Sequence, residues 1–327
     1  MRKIAVVGVE EGLGREVINL LAEQGYRSQD VFAIAPRSVM GNMISFGEDA
    51  DLDVVSLDKF DFKSVQVAIF TTTAELAKKY IPVAQKHGVK IVDASGAMLS
   101  NSDVPMLLSG FNDNDIADLV SAPSSEVVPM LQALQNLHKQ YQITRIITSV
   151  YASTDFYGRA GMDELFNQTR KIFMNDTLAD EQAVFHKQIA FNTIPHIGEF
   201  IGEETSVEWS FNTETKQIFG GNIRVHANCA VIPAFLGQAQ YINIETQKEI
   251  DVADVSRILK KTKGVIVFDK QTDGGYVTLS DVQGEDSVYV SRLRQDTGVE
   301  NGISLWCVAD NLRVSALNIM NILKLWK

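Results

Sequence analysis

Seven residues, Gly8-Val9-Glu10-Glu11-Gly12-Leu13-Gly14, follow a β-branched apolar run and open a helical one. That is the setting in which a glycine turn cradles a dinucleotide. Gly8 suits the tight turn and Gly14 the close approach of helix to strand. Such a turn offers backbone N–H groups and a helix dipole to pyrophosphate. Glu10 and Glu11 oppose this, because two carboxylates at a helix N-terminus satisfy the dipole and repel phosphate. Ser125 beside Glu126 is a second constellation. With a histidine it would make the smallest serine-hydrolase set. The five histidines, His87, His138, His186, His196 and His226, are singletons without HxxxH spacing, so neither that set nor a metal site is expected. Cys229 and Cys307 show no CxxC spacing and sit in apolar runs, as inert buried thiols do.

The elements that must position these residues fall into two patterns. Apolar runs at Lys3–Val7, Val31–Ala35, Val67–Phe70 and Ile91–Asp93 predict parallel strands buried on both faces. Helical spacing appears between Gly12 and Gln24 and between Ala74 and Lys86. Strand–helix alternation with short connections predicts a doubly wound, Rossmann-like nucleotide-binding domain. After Pro123 the pattern changes to a helix from Val127 to Tyr141, a strand Arg145–Val150, and helices from Ala160. Strands then dominate: Ile223–Ala227, Ala230–Ile232, Gln240–Ile244, Val265–Phe268 and Val288–Arg292. This predicts a separate α+β domain with a mixed or antiparallel sheet. A last helix runs from Asn311 to Leu325, and the acidic patch Asp49–Asp53 reads as solvated surface.

The 327 residues suffice for two domains and a large core. A net charge of −11 excludes the basic footprint of non-specific nucleic-acid binding, although a local pocket can still take an anion. No apolar run approaches the roughly 18 residues that span a membrane, and the N-terminus enters a strand without a signal-peptide core. A cytoplasmic location is expected.

Several segments, in order, resemble aspartate-semialdehyde dehydrogenase. They are Lys3-Ile4-Ala5-Val6-Val7-Gly8; Ile91-Val92-Asp93-Ala94-Ser95 with Asp103-Val104-Pro105; and Gln188-Ile189-Ala190-Phe191-Asn192-Thr193-Ile194-Pro195-His196-Ile197. Val207-Glu208-Trp209, Glu214-Thr215-Lys216 and Trp306-Cys307-Val308-Ala309-Asp310-Asn311-Leu312-Arg313 complete the series. The resemblance implies a dinucleotide-binding domain over 1–126 and 310–327, with an α+β dimerisation and substrate domain over 127–309. It also implies a homodimer, NADP, and interconversion of aspartyl phosphate and aspartate semialdehyde in amino-acid biosynthesis.

The residues at the resembling positions depart from what that chemistry needs. Ala122-Pro123-Ser124-Ser125-Glu126-Val127 stands where the family has Asn-Pro-Asn-Cys-Ser-Thr, so Ser125 occupies the nucleophile position. A serine hydroxyl is far less acidic than a thiol and needs a base. Gln238 stands at the histidine acid/base position and Ala152 at the acyl-orienting glutamine. Leu99, Val231 and Ser210 replace an arginine, an arginine and a lysine that hold phosphate or carboxylate; Glu208 survives. On the cofactor side, Gly8, Gly12, Leu13 and the pair Arg37-Ser38, followed by Gly41, match positions that bind NADP. Glu10, Glu11 and Asp155-Phe156-Tyr157 oppose it, and so does the loop Arg313-Val314-Ser315-Ala316, which looks one residue short. The expectation is a catalytically silent relative that acts by binding a small anionic metabolite or a protein partner, with weak NADP binding and no metal. The alternative is an active NADP-dependent oxidoreductase.

Overall fold

The computed structural model describes residues 2–37, 42–176 and 184–326. The chain divides into two compact units, residues 1–125 with 315–327, and residues 126–314.

The first unit is built on β1 (Ile4–Val7), β2 (Val31–Ala35), β3 (Met43–Phe46), β4 (Ala50–Ser56), β5 (Val67–Phe70), β6 (Lys90–Asp93) and β7 (Leu119–Ser121). They form one sheet in the order β3-β4-β2-β1-β5-β6-β7, parallel except for the β3–β4 pair. The unbroken apolar run of β1 follows from burial on both faces. Ile4 and Val6 join a layer with Val17, Ile18 and Leu21 of α1 (Gly12–Glu23) and with Ile319, Ile322 and Leu323 of α7 (Asn311–Leu325). Ala5 and Val7 join the opposite layer with Ala77, Ile81 and Ala84 of α2 (Ala74–Gln85). The doubly wound fold is therefore present. Its strand order reverses between β1 and β5, and ligands of such sheets bind outside the strand ends at that reversal.

The β3–β4 hairpin escaped the sequence reading. Residues Asp49–Asp53, expected to be plain surface, lead into and form part of β4. There Asp51 and Asp53 face solvent while Leu52 and Val54 are buried, an alternation masked by the acidic residues.

In the second unit, β9 (Phe200–Ile201) and β10 (Glu204–Thr205) pair as a short antiparallel ribbon, while β8 (Ile143–Ala152), β11 (Arg224–Val231), β12 (Gln238–Thr246), β13 (Val265–Val267), β14 (Val288–Gln295) and β15 (Gly302–Ala309) form a mixed sheet in the order β11-β8-β12-β15-β14-β13. The two short strands expected around Asn228 are one strand, in continuous register with β8 from Arg224↔Arg145 to Val231↔Ala152. Strand β15 was read only as a motif, because its almost wholly buried residues show no alternation. Helices α3 (Val128–Tyr141), α5 (Ser206–Phe219) and α6 (Val252–Leu259) pack against the sheet, and α4 (Gly158–Phe173) follows the turn after β8. Strand β11 alternates between buried Val225, Ala227 and Cys229 and exposed Arg224, His226 and Asn228.

Aromatic groups gather around Tyr241, whose ring lies 4.7 Å from Trp306, itself 6.0 Å from Tyr151. Within the segment 188–197, Ile197 is fully buried within its own chain. Phe191 is 63% exposed and meets Phe173, 77% exposed, edge to face.

Candidate functional site

The turn after β1 is shaped by two glycines. Gly8 has φ +110°, and a Cβ there would lie 2.3 Å from the Thr72 backbone nitrogen. A Cβ on Gly14 would lie 2.1 Å from the Gly8 carbonyl oxygen, so α1 meets β1 only because Gly14 has none. Gly12 and Leu13 open α1. Of the two glutamates expected at the helix dipole, only Glu10 turns inward. Glu11 is the N-cap, but its side chain makes no capping bond and is exposed. Burial pushes the Glu10 carboxyl above the usual carboxylate range, against opposing hydrogen bonds from its own backbone and Thr72; the Glu11 charge adds to the rise. Arg37 is exposed and close enough to Asp58 to help hold that carboxyl down, after the larger effect of the Ser56 hydroxyl. Ser38 and Gly41 lie outside the described residues.

Leu99 is buried in the same unit, beyond a turn organised by the buried Asp93. The Asp93 carboxylate accepts from Ser95 N (3.0 Å), Ser95 Oγ (2.5 Å) and Met98 N (2.8 Å). Half-buried Ser125 ends the first of the unit's two segments.

In the second unit the register does what the linear sequence could not show. Val231 pairs with Ala152, Ala152 with Gln238, and Gln238 with Ala309, so three positions implied for substrate handling stand in one row across β11, β8 and β12. All three are buried. Cross-strand partners share a face, so this row presents an isopropyl, a methyl and an amide. It offers no cation, base or nucleophile. Gln238 Nε2 donates to the Glu126 carbonyl (2.7 Å), as does Gln240 Nε2 (3.1 Å), so the amide fastens the sheet to the start of α3.

Glu208 is also occupied structurally. Its Oε2 accepts from Thr205 N (2.8 Å) in the capping box of α5, and its Oε1 accepts from Cys229 N (3.1 Å) on β11. Cys229 sits beside this carboxylate, and burial pushes its thiol well above the usual range, followed by the Glu208 and Glu126 charges. Burial pushes Cys307 up to about 12. Neither supplies a thiolate near neutral pH. His138 stacks on Phe219 with Nε2 2.9 Å from its carbonyl, and His196 tilts against Phe200.

Asp155 lies in a short 3-10 turn, Thr154–Tyr157, before α4. Its carboxylate accepts from Ser153 Oγ (2.6 Å) and Gly237 N (3.4 Å). Burial raises its pKa to about 6, and the nearby charges of Glu126 and Asp310 add to the rise. Phe156 and Tyr157 meet edge to face, and Tyr157 meets Phe185 likewise at 4.9 Å, so these rings pack on one another. The segment expected to be a short cofactor loop, Arg313–Ala316, is the beginning of α7, and Arg313 bonds Asp286 at 2.7 Å.

The Asp155 shift gives a stability prediction. An unfolded aspartate titrates near ~3.9, below the folded value of about 6. The native state therefore holds the extra proton between these values, and stability falls as pH rises through that window. Asp155→Asn keeps an acceptor for Ser153 and Gly237 without the buried charge. It is expected to add about 1–3 kcal/mol at pH 7, with the gain vanishing toward pH 4. Urea unfolding at the two pH values checks this.

Two family models cover most of the chain. "Semialdehyde dehydrogenase, NAD binding domain" matches residues 3–119, and "Semialdehyde dehydrogenase, dimerisation domain" matches residues 134–314. The aspartate-semialdehyde dehydrogenase of Rickettsia bellii is 35% identical, over 98% of this chain and 96% of that protein. The Aquifex aeolicus protein of the same name is 31% identical, over 96% and 94%. The crystal structure of aspartate semialdehyde dehydrogenase II from Vibrio cholerae superposes with a TM-score of 0.93 at 30% identity, covering 99% of this chain and 98% of that one. With two-unit architecture, unit order and sequence in agreement, the chain belongs to the aspartate-semialdehyde dehydrogenase family.

Proposed function

We propose that this chain is a catalytically silent member of its family, a cytoplasmic homodimer that acts by binding a ligand or partner. The observation that carries this reading is the Val231–Ala152–Gln238 row, buried and without a cation or base. A substrate bearing carboxylate and phosphate would be desolvated there without pairing, which is costly. Ser125 adds no thiol, and the surviving Glu208 caps a helix. In this reading NADP is a weak ligand, opposed by the inward Glu10 and favoured by the exposed Arg37. Active NADP-dependent interconversion of aspartyl phosphate and aspartate semialdehyde, as part of amino-acid biosynthesis, is the alternative supported by relatives bearing that name. Purified protein given aspartate semialdehyde, phosphate and NADP is expected to produce no NADPH. Turnover within tenfold of a median enzyme, roughly 10 s⁻¹, would overturn the silent reading.

A further inference from the structure

In the second unit, the irregular end of β14 borders an open cavity of ≈ 550 Å³. Its walls carry three cations, Lys270, Arg292 and Arg294, against two carboxylates, Asp269 and Asp273. The local balance is positive in a chain whose net charge is −11. Among the described residues none of the three cations enters a salt bridge, whereas Arg27, Arg145, Arg159, Arg257 and Arg313 do.

The backbone that carries these cations is fixed on both sides of the cavity. Strand β14 pairs Ser291 with Trp306 and then Arg294 with Ser304, so Arg292 and Leu293 together oppose Leu305 in a β-bulge. Bulges re-aim side chains and are common beside sites. Arg292 takes φ +54°, a left-handed conformation that favours glycine. The Asp269 carboxylate pins it there, accepting from Arg292 N (2.8 Å) and Leu293 N (3.0 Å). Buried Ser291 closes the base of the facing loop, its hydroxyl donating to the Phe268 carbonyl (2.7 Å) and accepting from Val277 N (3.1 Å). Within that loop Lys270 N donates to the Gly275 carbonyl (2.8 Å), and a Cβ on Gly275 would lie 2.2 Å from Lys270 O. Lys270 Nζ lies 5.0 Å from the centre of the Phe268 ring. The Arg294 guanidinium lies 5.8 Å from that of Tyr241 and donates to the Arg292 carbonyl (3.1 Å).

Three cations around one cavity repel one another until an anion joins them. Arginine forks match carboxylate and phosphate oxygens, and a lysine adds a point charge. Cations on both the bulge and the loop suit an anion with more than one charged group. We propose that this cavity binds a small multivalent oxyanion, a di- or tricarboxylate or a phosphate ester, held by Arg292 and Arg294 on the bulge and by Lys270 from the loop. The cavity shares no lining residue with the Val231–Ala152–Gln238 row, so the proposal goes beyond the silent reading and does not depend on it.

Calorimetry on the full chain at fixed ionic strength, with citrate, pyrophosphate and acetate, tests it. Citrate or pyrophosphate is expected to bind with a Kd below ~1 mM, and acetate at least ~10-fold more weakly. The tighter of the first two identifies the ligand as carboxylate- or phosphate-bearing. Arg292→Gln and Lys270→Gln are each expected to weaken that anion at least ~10-fold, and Asp273→Asn to tighten it. Lys86→Gln, at an exposed lysine of the first unit, is the control for bulk charge and is expected to change nothing. Absence of binding by both multivalent anions at millimolar concentration overturns the proposal, as does acetate binding as tightly as either. So does affinity unchanged in both Arg292→Gln and Lys270→Gln, or lowered equally by Lys86→Gln, in variants with unchanged melting temperature. NADPH formation alongside anion binding would remove the silent reading and leave this one standing.

Discussion

Ser125→Cys is expected to leave the protein without measurable phosphate-dependent NADP reduction, at least ~10⁴-fold below a median enzyme. The thiol is one part of a set whose members act together, so restoring one restores little. A cysteine at position 125 would still lack a histidine, because Gln238 fastens β12 to the Glu126 carbonyl. Adding Gln238→His supplies a base, yet Val231 and Ala152 remain apolar where an anionic substrate needs a cation and an orienting amide. The double variant is therefore expected to stay silent as well. A coupled NADPH assay on both variants, with melting curves to show that they fold, checks this. Recovery by Ser125→Cys alone to within 100-fold of a median enzyme would contradict it.

Tyr241→Asp is expected to turn the proposed two-fold dimer into single chains at micromolar concentration. The matched dimerisation domain supports self-association, and Tyr241 stands among aromatic groups with Trp306 at 4.7 Å and Arg294 over its ring. Tyr241 is 36% exposed, and an aromatic ring with a free face serves as an anchor in interfaces. In a two-fold interface each substitution acts twice, so a loss of about 2 kcal/mol per copy weakens association by roughly 10³-fold. Light scattering should give twice the single-chain mass for the unaltered protein and the single-chain mass for the variant. A single-chain mass for the unaltered protein at micromolar concentration would rule the dimer out.

The sequence displayed some levels of this structure well and concealed others for physical reasons. β1, β2, β5 and β6 were legible because strands buried on both faces read as unbroken apolar runs. The turn glycines were legible because the contacts of Gly8 and Gly14 admit no Cβ. β4 was hidden by Asp51 and Asp53, which satisfy its solvent face while Leu52 and Val54 fill the core. β15 was hidden for the opposite reason, its residues being buried on both faces within what reads as a motif.

The candidate site was legible only as scattered positions. That Val231, Ala152 and Gln238 form one row depends on strand register, which no local pattern contains. The tasks of Gln238 and Glu208 were likewise invisible, since the Glu126 carbonyl and Cys229 N–H that occupy them come from distant segments. Glu10 and Glu11 look equivalent in sequence; only the fold turns one inward and leaves the other in water.

The most direct test of the silent row is a single-turnover experiment, with protein in excess over aspartate semialdehyde, saturating phosphate and NADP, followed by NADPH absorbance. Slow product release cannot hide chemistry in this format, because one hydride transfer per site is visible. The row Val231–Ala152–Gln238 with Ser125 predicts a flat trace over minutes. A burst of NADPH approaching the amount of limiting aldehyde would contradict it.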